Sequence, residues 1–158
     1  MDMQGLTEWI YATALSCAIR DNSWVVPVVQ SIHIIAIAVV MGCALVTELR
    51  IVGIVAPDES MQVVARRYLP WMWCALAVLL GTGVVMILGE PDRTLSNVTF
   101  WIKMALVSTG VLASLALRKP LLRPSSPAGK GPTKVLAWTL LALWVVVIFC
   151  GRWIAYTH

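Results

Sequence analysis

An imidazole stands in the stretch "VVPVVQSIHIIAIAVVMGC", where His33 is surrounded by apolar residues; the second histidine of the chain is its last residue, His158. An imidazole can ligate a metal, relay a proton or bond across helices, and its charge changes near neutral pH. Two cations lie close to apolar runs: Lys103 in "TFWIKMALV" and Arg152 in "FCGRWIAY". Gln30 precedes His33 by about one helical turn, so on a helix it shares that face and can orient the ring or meet a ligand. What these groups can do depends on where the elements carrying them place them.

The composition decides those elements. Of 158 residues, 59% are hydrophobic and 13% charged, and the mean hydropathy is +0.84. Soluble domains carry roughly twice that charge, and a helix that crosses a bilayer needs about 20 mostly apolar residues. The expectation is an all-α integral membrane protein: a four-helix bundle with an N-terminal interfacial helix, residues 1–158 forming one transmembrane domain. The spans are expected at about 24–46, 69–89, 99–117 and 135–156. "LTEWIYATALSCAIRDN" is too short and polar to span, which suits a helix lying at the interface. Its acidic start, with Asp2 and Glu8, speaks against a signal peptide. Asn22 or Ser23 is expected to cap the first span. "ESMQVVARRY" reads as an amphipathic lead into the second, and "RKPLLRPSSPAGKGPTK" as a loop between the third and fourth.

Lys and Arg set the orientation. Arg50, Arg66, Arg67, Arg118, Lys119, Arg123, Lys130 and Lys134 fall in the loops after spans one and three. Positive-inside logic places that side in the cytoplasm and both termini outside it. This distribution accounts for the net charge of +4 without a nucleic-acid partner. Trp24, Trp101 and Trp153 are expected in one aromatic belt, and Trp71, Trp73 and Trp138 in the other. The four cysteines, Cys17, Cys43, Cys74 and Cys150, are scattered and suggest neither a disulfide framework nor a zinc site.

At ~1.5 Å per residue, His33 lies about 13 Å deep and Lys103 about 6 Å deep in a core of ~30 Å. Spans one and three begin, and span four ends, on one face, so His33, Lys103 and Arg152 share one half of the bundle. Ionisable groups inside a membrane are costly and usually face an interior or a wet cavity. The bland alternatives are a snorkelling Lys103, an Arg152 that anchors the interface and a neutral His33 bonded to another helix.

A functional His33 takes one of two forms. It can ligate the iron of a haem b held between helices, with Lys103 and Arg152 pairing the propionates. Or it can serve without metal as a proton relay or a hydrogen-bond partner for quinone. Gly42, Cys43, Ala44, Gly81 and Gly83 thin the helices for a flat macrocycle or for ordinary small-residue packing. Met41, Met72, Met86 and Met104 are candidates for a second axial ligand; a five-coordinate iron, or ligands shared across a homo-oligomer, would also serve. At the opposite end, Glu48 is expected to pair with Arg66 or Arg67.

"VVQSIHIIAIAVVMGCALVTELRIVG" and "TFWIKMALV" resemble the first and third spans of the bacterial four-helix membrane protoporphyrinogen oxidases. The stretches "WVVPVVQSIH", "LRIVG" and "FWIK" are similar to a related group of uncharacterised bacterial four-span proteins. The resemblance implies a multi-pass protein of the bacterial inner membrane. It implies His33 as the haem-ligating histidine, Lys103 as the catalytic lysine and Arg50 as the basic residue that ends the first span. The chain departs from the oxidases at "VVMGC" and "IVGIV", where aromatic and histidine residues are missing.

Three functions follow as expectations. The first is a haem b-binding redox protein that exchanges electrons with quinone or a partner redox subunit. The second is a protoporphyrinogen oxidase-like enzyme acting on a porphyrin precursor. The third is a metal-free anchor or accessory subunit of a larger complex.

Overall fold

The computed structural model describes residues 3–121 and 131–154. These residues are helical, with no strand among them: α1 (Met3–Tyr11), α2 (Ala14–Asp21), α3 (Val25–Val52), α4 (Met61–Gly89), α5 (Pro91–Leu95), α6 (Val98–Leu121) and α7 (Gly131–Ile154). Helices α3, α4 and α7 are each long and apolar enough to cross a membrane, and α6 carries a shorter apolar stretch, Val98–Ser114. Many of their large side chains, among them Ile35, Leu80 and Phe149, point outward, as lipid-facing side chains do. The end of the expected fourth span and most of the loop before it lie outside the described residues, as does His158.

The long helices overrun the expected spans because hydrogen bonding continues past the apolar boundary. Helix α3 runs until Gly53, whose left-handed φ of 92° closes it. The Gly53 and Ile54 amides return to the Leu49 carbonyl at 3.0 and 2.9 Å, a glycine-terminated stop. The start of α3 differs from expectation: no side chain caps it, and the Asn22 carboxamide oxygen accepts the Trp24 amide at 3.3 Å. The amphipathic lead is continuous with the second span in one helix of 29 residues that begins after the Ser60 cap. Pro70, where the two meet, has no N–H to give to Arg66, so the helix there lacks one backbone bond.

The N-terminal segment forms two short helices. Thr13 divides them, its hydroxyl oxygen accepting the Ser16 amide at 3.3 Å. Both pack at the end of the bundle where α3 begins: α2 against α3 and α4, and α1 against α4 and α5. Ser16, fully buried, donates to the Leu88 carbonyl at 2.7 Å, satisfying an acceptor that the last turn of α4 leaves over. Arg20 donates to Ser16 Oγ at 2.8 Å and to the Tyr11 carbonyl at 3.0 Å. Its guanidinium lies 3.4 Å from the centre of the Tyr11 ring, a cation–π contact.

The long helices pack in the order α4, α3, α7, α6, each against the next, while among the described residues α4 and α6 have no comparable contact. The core clusters Val40, Cys43 and Ala44 of α3 with Met72 and Ala75 of α4 and Trp144 of α7. A second cluster joins Ile51, Met61, Ala65 and Ala137 nearer the far end. Gly110 lets α6 approach α7, because a Cβ there would lie 2.9 Å from Leu143 Cδ2 and 3.3 Å from Trp144 Cζ2. Trp24, Trp101, Trp153, Trp71 and Trp138 are exposed. Trp73 is half-buried, with its indole nitrogen turned inward.

Candidate functional site

His33 sits about 12 Å along α3 from its start, and Thr82 about 10 Å before the end of the antiparallel α4. The two meet: His33 Nδ1 lies 2.7 Å from Thr82 Oγ1. The direction of this bond goes with the tautomer of the ring. Within α4 the threonine hydroxyl also reaches the Val78 carbonyl at 2.7 Å, with Leu79 as a more distant acceptor at 3.2 Å. A hydroxyl has one proton: given to Val78 it leaves Thr82 Oγ1 to accept from His33 Nδ1–H, and given to the ring it leaves Nδ1 the acceptor. In the first arrangement the neutral ring presents a lone pair at Nε2, which has no partner among the described residues. A metal-ligating histidine is held in this way, with the outer nitrogen tied and the other offered to the metal.

The next residue brings α4 close beside the ring: a Cβ on Gly83 would lie 3.9 Å from His33 Cε1, at ordinary contact. Gly81 and Gly42 play no such part, for a Cβ at either would meet nothing within 4 Å. Gly42 instead lines a shallow apolar groove of about 410 Å³ with Val39, Cys43, Val46, Tyr68 and Trp71.

Lys103 enters from the opposite pair of helices. It is half-buried on α6, about 7 Å from that helix's start, and its ammonium rests against α7. A Cβ on Gly151 would lie 3.4 Å from Lys103 Nζ, so the glycine vacates the place the ammonium occupies. Lys103 is within electrostatic range of both His33 and Cys150. The structure thus brings His33, Thr82, Gly83 and Lys103 into one half of the bundle, between the two helix pairs. Arg152, exposed, is adjacent in sequence to the Lys103–Gly151 crossing. Gln30 is exposed on α3, and the ring's Nδ1 is held by Thr82 instead.

A site with one histidine suits some chemistries and not others. Among the described residues no three His, Cys, Asp or Glu side chains converge to hold a metal ion. A single imidazole nitrogen does suit an iron whose equatorial positions a macrocycle fills. The methionines divide by position: Met72 is buried in the core and Met41 packs against it, nearer the other end. Met86 lies one turn beyond Thr82 on the same face of α4, and Met104 follows Lys103 but is exposed.

The other end requires a correction. Glu48 pairs with neither Arg66 nor Arg67: it is 5% exposed, and its Oε2 has no partner. Arg67 meets Glu59 instead, at 3.5 Å. Arg50 holds the connection between α3 and α4, donating through Nε to the Glu59 carbonyl at 2.9 Å and through Nη2 to the same carbonyl and that of Pro57, the latter at 3.4 Å. Glu48 lies one turn past Ala44 and two past Val40, both core residues, so the helix turns its carboxyl inward, away from the arginines.

Thr82 was not evident as a partner from the sequence. Its signal was weak but present: a hydroxyl between two glycines in "LLGTGVVM", at the depth His33 reaches from the same face. No curated protein and no solved structure matches the chain. Residues 8–157 match one described family, and on that match the chain belongs to the family of unknown function DUF6644.

Proposed function

We propose that this chain is a haem b-binding redox protein of the bacterial inner membrane, with both termini outside the cytoplasm. It would exchange electrons with quinone or with a partner redox subunit. The observation that carries this reading is the ring of His33, one nitrogen tied to Thr82 and the other, Nε2, without a partner among the described residues and able to offer a lone pair. Left without a partner inside a membrane, that acceptor is costly; donated to iron, it is satisfied. Lys103 supports an anionic substituent such as a propionate, and Arg152 a second one nearer the surface. Bound haem supplies a one-electron couple. His33 orients that group, the apolar helices keep water from it, and the neighbouring cation tunes its potential. The likeness of the His33 and Lys103 segments to the protoporphyrinogen oxidases supports the enzymatic version, in which Lys103 is the catalytic residue.

One observation favours a second reading, a metal-free anchor or accessory subunit. The His33–Thr82 bond already joins α3 to α4, and such bonds hold membrane helices together without any cofactor. Optical spectra of protein purified from haem-sufficient cells separate the two. The redox reading expects a Soret band that moves on dithionite reduction and is lost in His33→Ala. For the enzymatic version, Lys103→Ala is expected to keep the band and lose porphyrinogen turnover. A colourless wild-type protein overturns the haem reading and favours the anchor; a coloured His33→Ala protein places the ligand elsewhere.

A further inference from the structure

We infer that the His33 site is reached from within the bilayer, through the seam between α4 and α6, and that the N-terminal helices close it to water. The inference deepens the reading of His33 as a binding site and rests on it; the ligand it implies is a lipid-soluble molecule with an anionic or metal-bearing head, whatever its exact identity.

Three observations converge. Four helices joined as a closed ring would present four packed edges, but here α3–α4, α3–α7 and α6–α7 are packed and, among the described residues, α4–α6 has no comparable contact. The functional side chains belong to the two helix pairs on either side of that edge. His33 and Thr82 come from the α3–α4 pair, Lys103 crosses onto Gly151 from the α6–α7 pair, and the imidazole and ammonium are within electrostatic range of each other. The nearest aqueous end, by contrast, is covered. Helix α5 bridges α4 to α6 there and α1 packs on α5, while α2 packs on α3 and α4. Ser16 fastens this cover to the Leu88 carbonyl, and Ile19 lies against Gly89, where a Cβ would come within 3.4 Å of it. Arg20 ties α2 to the end of α1 through the Tyr11 carbonyl. An imidazole and a cation on helix pairs that leave one edge unpacked, and whose near end is covered, can be met most directly by a molecule already dissolved in lipid.

Thiol labelling tests the route without any assumption about haem. Gly83→Cys places a thiol beside the His33 ring, in a full-length chain whose Cys17, Cys43, Cys74 and Cys150 are replaced by alanine, reconstituted in phosphatidylcholine vesicles. A pyrene maleimide dissolved in the bilayer is expected to label it, and a sulfonated maleimide in the water, on either side, to label it about tenfold more slowly or less, since charge is excluded from the hydrocarbon. Asn22→Cys, on the exposed α2–α3 link, serves as the aqueous control. Adding Ser16→Ala and Arg20→Ala, which release the cover, is expected to speed sulfonated labelling at position 83. If Gly83→Cys does not fold, Lys103→Cys reports from the opposite wall with the same expected order. Faster labelling from water than from lipid, or protection from both reagents, overturns the inference. Colourless wild-type protein, with position 83 labelled from the bilayer alone, refutes haem and leaves the route standing.

Discussion

Thr82→Val keeps the shape of the side chain and removes the hydroxyl that bonds His33 Nδ1. The 2.7 Å bond between α3 and α4 is lost, while the Val78 carbonyl retains the α4 backbone. If the bond is only a tie between helices, the cost is that of a polar contact inside a membrane, about 1 kcal/mol and at most roughly 2. If it also holds a ligating ring, a larger effect appears elsewhere: loss of a partner behind a metal-bound histidine weakens the metal by about 10–100-fold, or roughly 1.4–2.7 kcal/mol. Thermal unfolding in detergent reads the first quantity, and haemin titration followed at the Soret band reads the second. Both are expected to change, the affinity more than the stability. In a His33→Ala background Thr82→Val should have almost no effect on either, because the ring it serves is gone. Unchanged haemin affinity and stability in the single variant would show that Thr82 does not hold the ring.

Two further outcomes concern the rest of the bundle. Gly110→Ala puts a methyl 2.9 Å from Leu143 Cδ2 and 3.3 Å from Trp144 Cζ2, and overpacking of this kind costs about 1–3 kcal/mol; the thermal midpoint should fall, and an unchanged midpoint would mean that α6 and α7 separate freely. Glu48→Gln keeps the volume and removes a buried carboxyl that has an unpartnered oxygen, so stability should hold or rise, because an unpaired buried charge is costly; a marked loss would reveal a partner for that oxygen.

The four apolar stretches were legible as helices because hydropathy reports what a segment can bury in lipid. Their ends were less so. Helices stop where backbone groups find other partners, and the Gly53 stop and the Ser60 cap lie outside the apolar stretch each helix was assigned. The imidazole stood out by type alone, since few other groups are so conspicuous among isoleucines and valines. Thr82 did not, because a threonine in a membrane helix usually satisfies itself on its own backbone, and Thr82 does that as well as serving His33. Glu48 misled for a different reason. Nearness along the chain suggested the arginines, but the face of α3 decides, and the spacing Val40, Ala44, Glu48, Ile51 marks the buried one.

The connection between α3 and α4 is secured by a guanidinium on main-chain oxygens, an acceptor every residue type supplies. Its hold is therefore indifferent to what side chains occupy positions 57 and 59, whereas the exposed Arg67–Glu59 pair is open to screening by salt. Drift in that short hairpin can alter its outward chemistry, and with it what it meets in the surrounding water, while the two helices it joins stay in register.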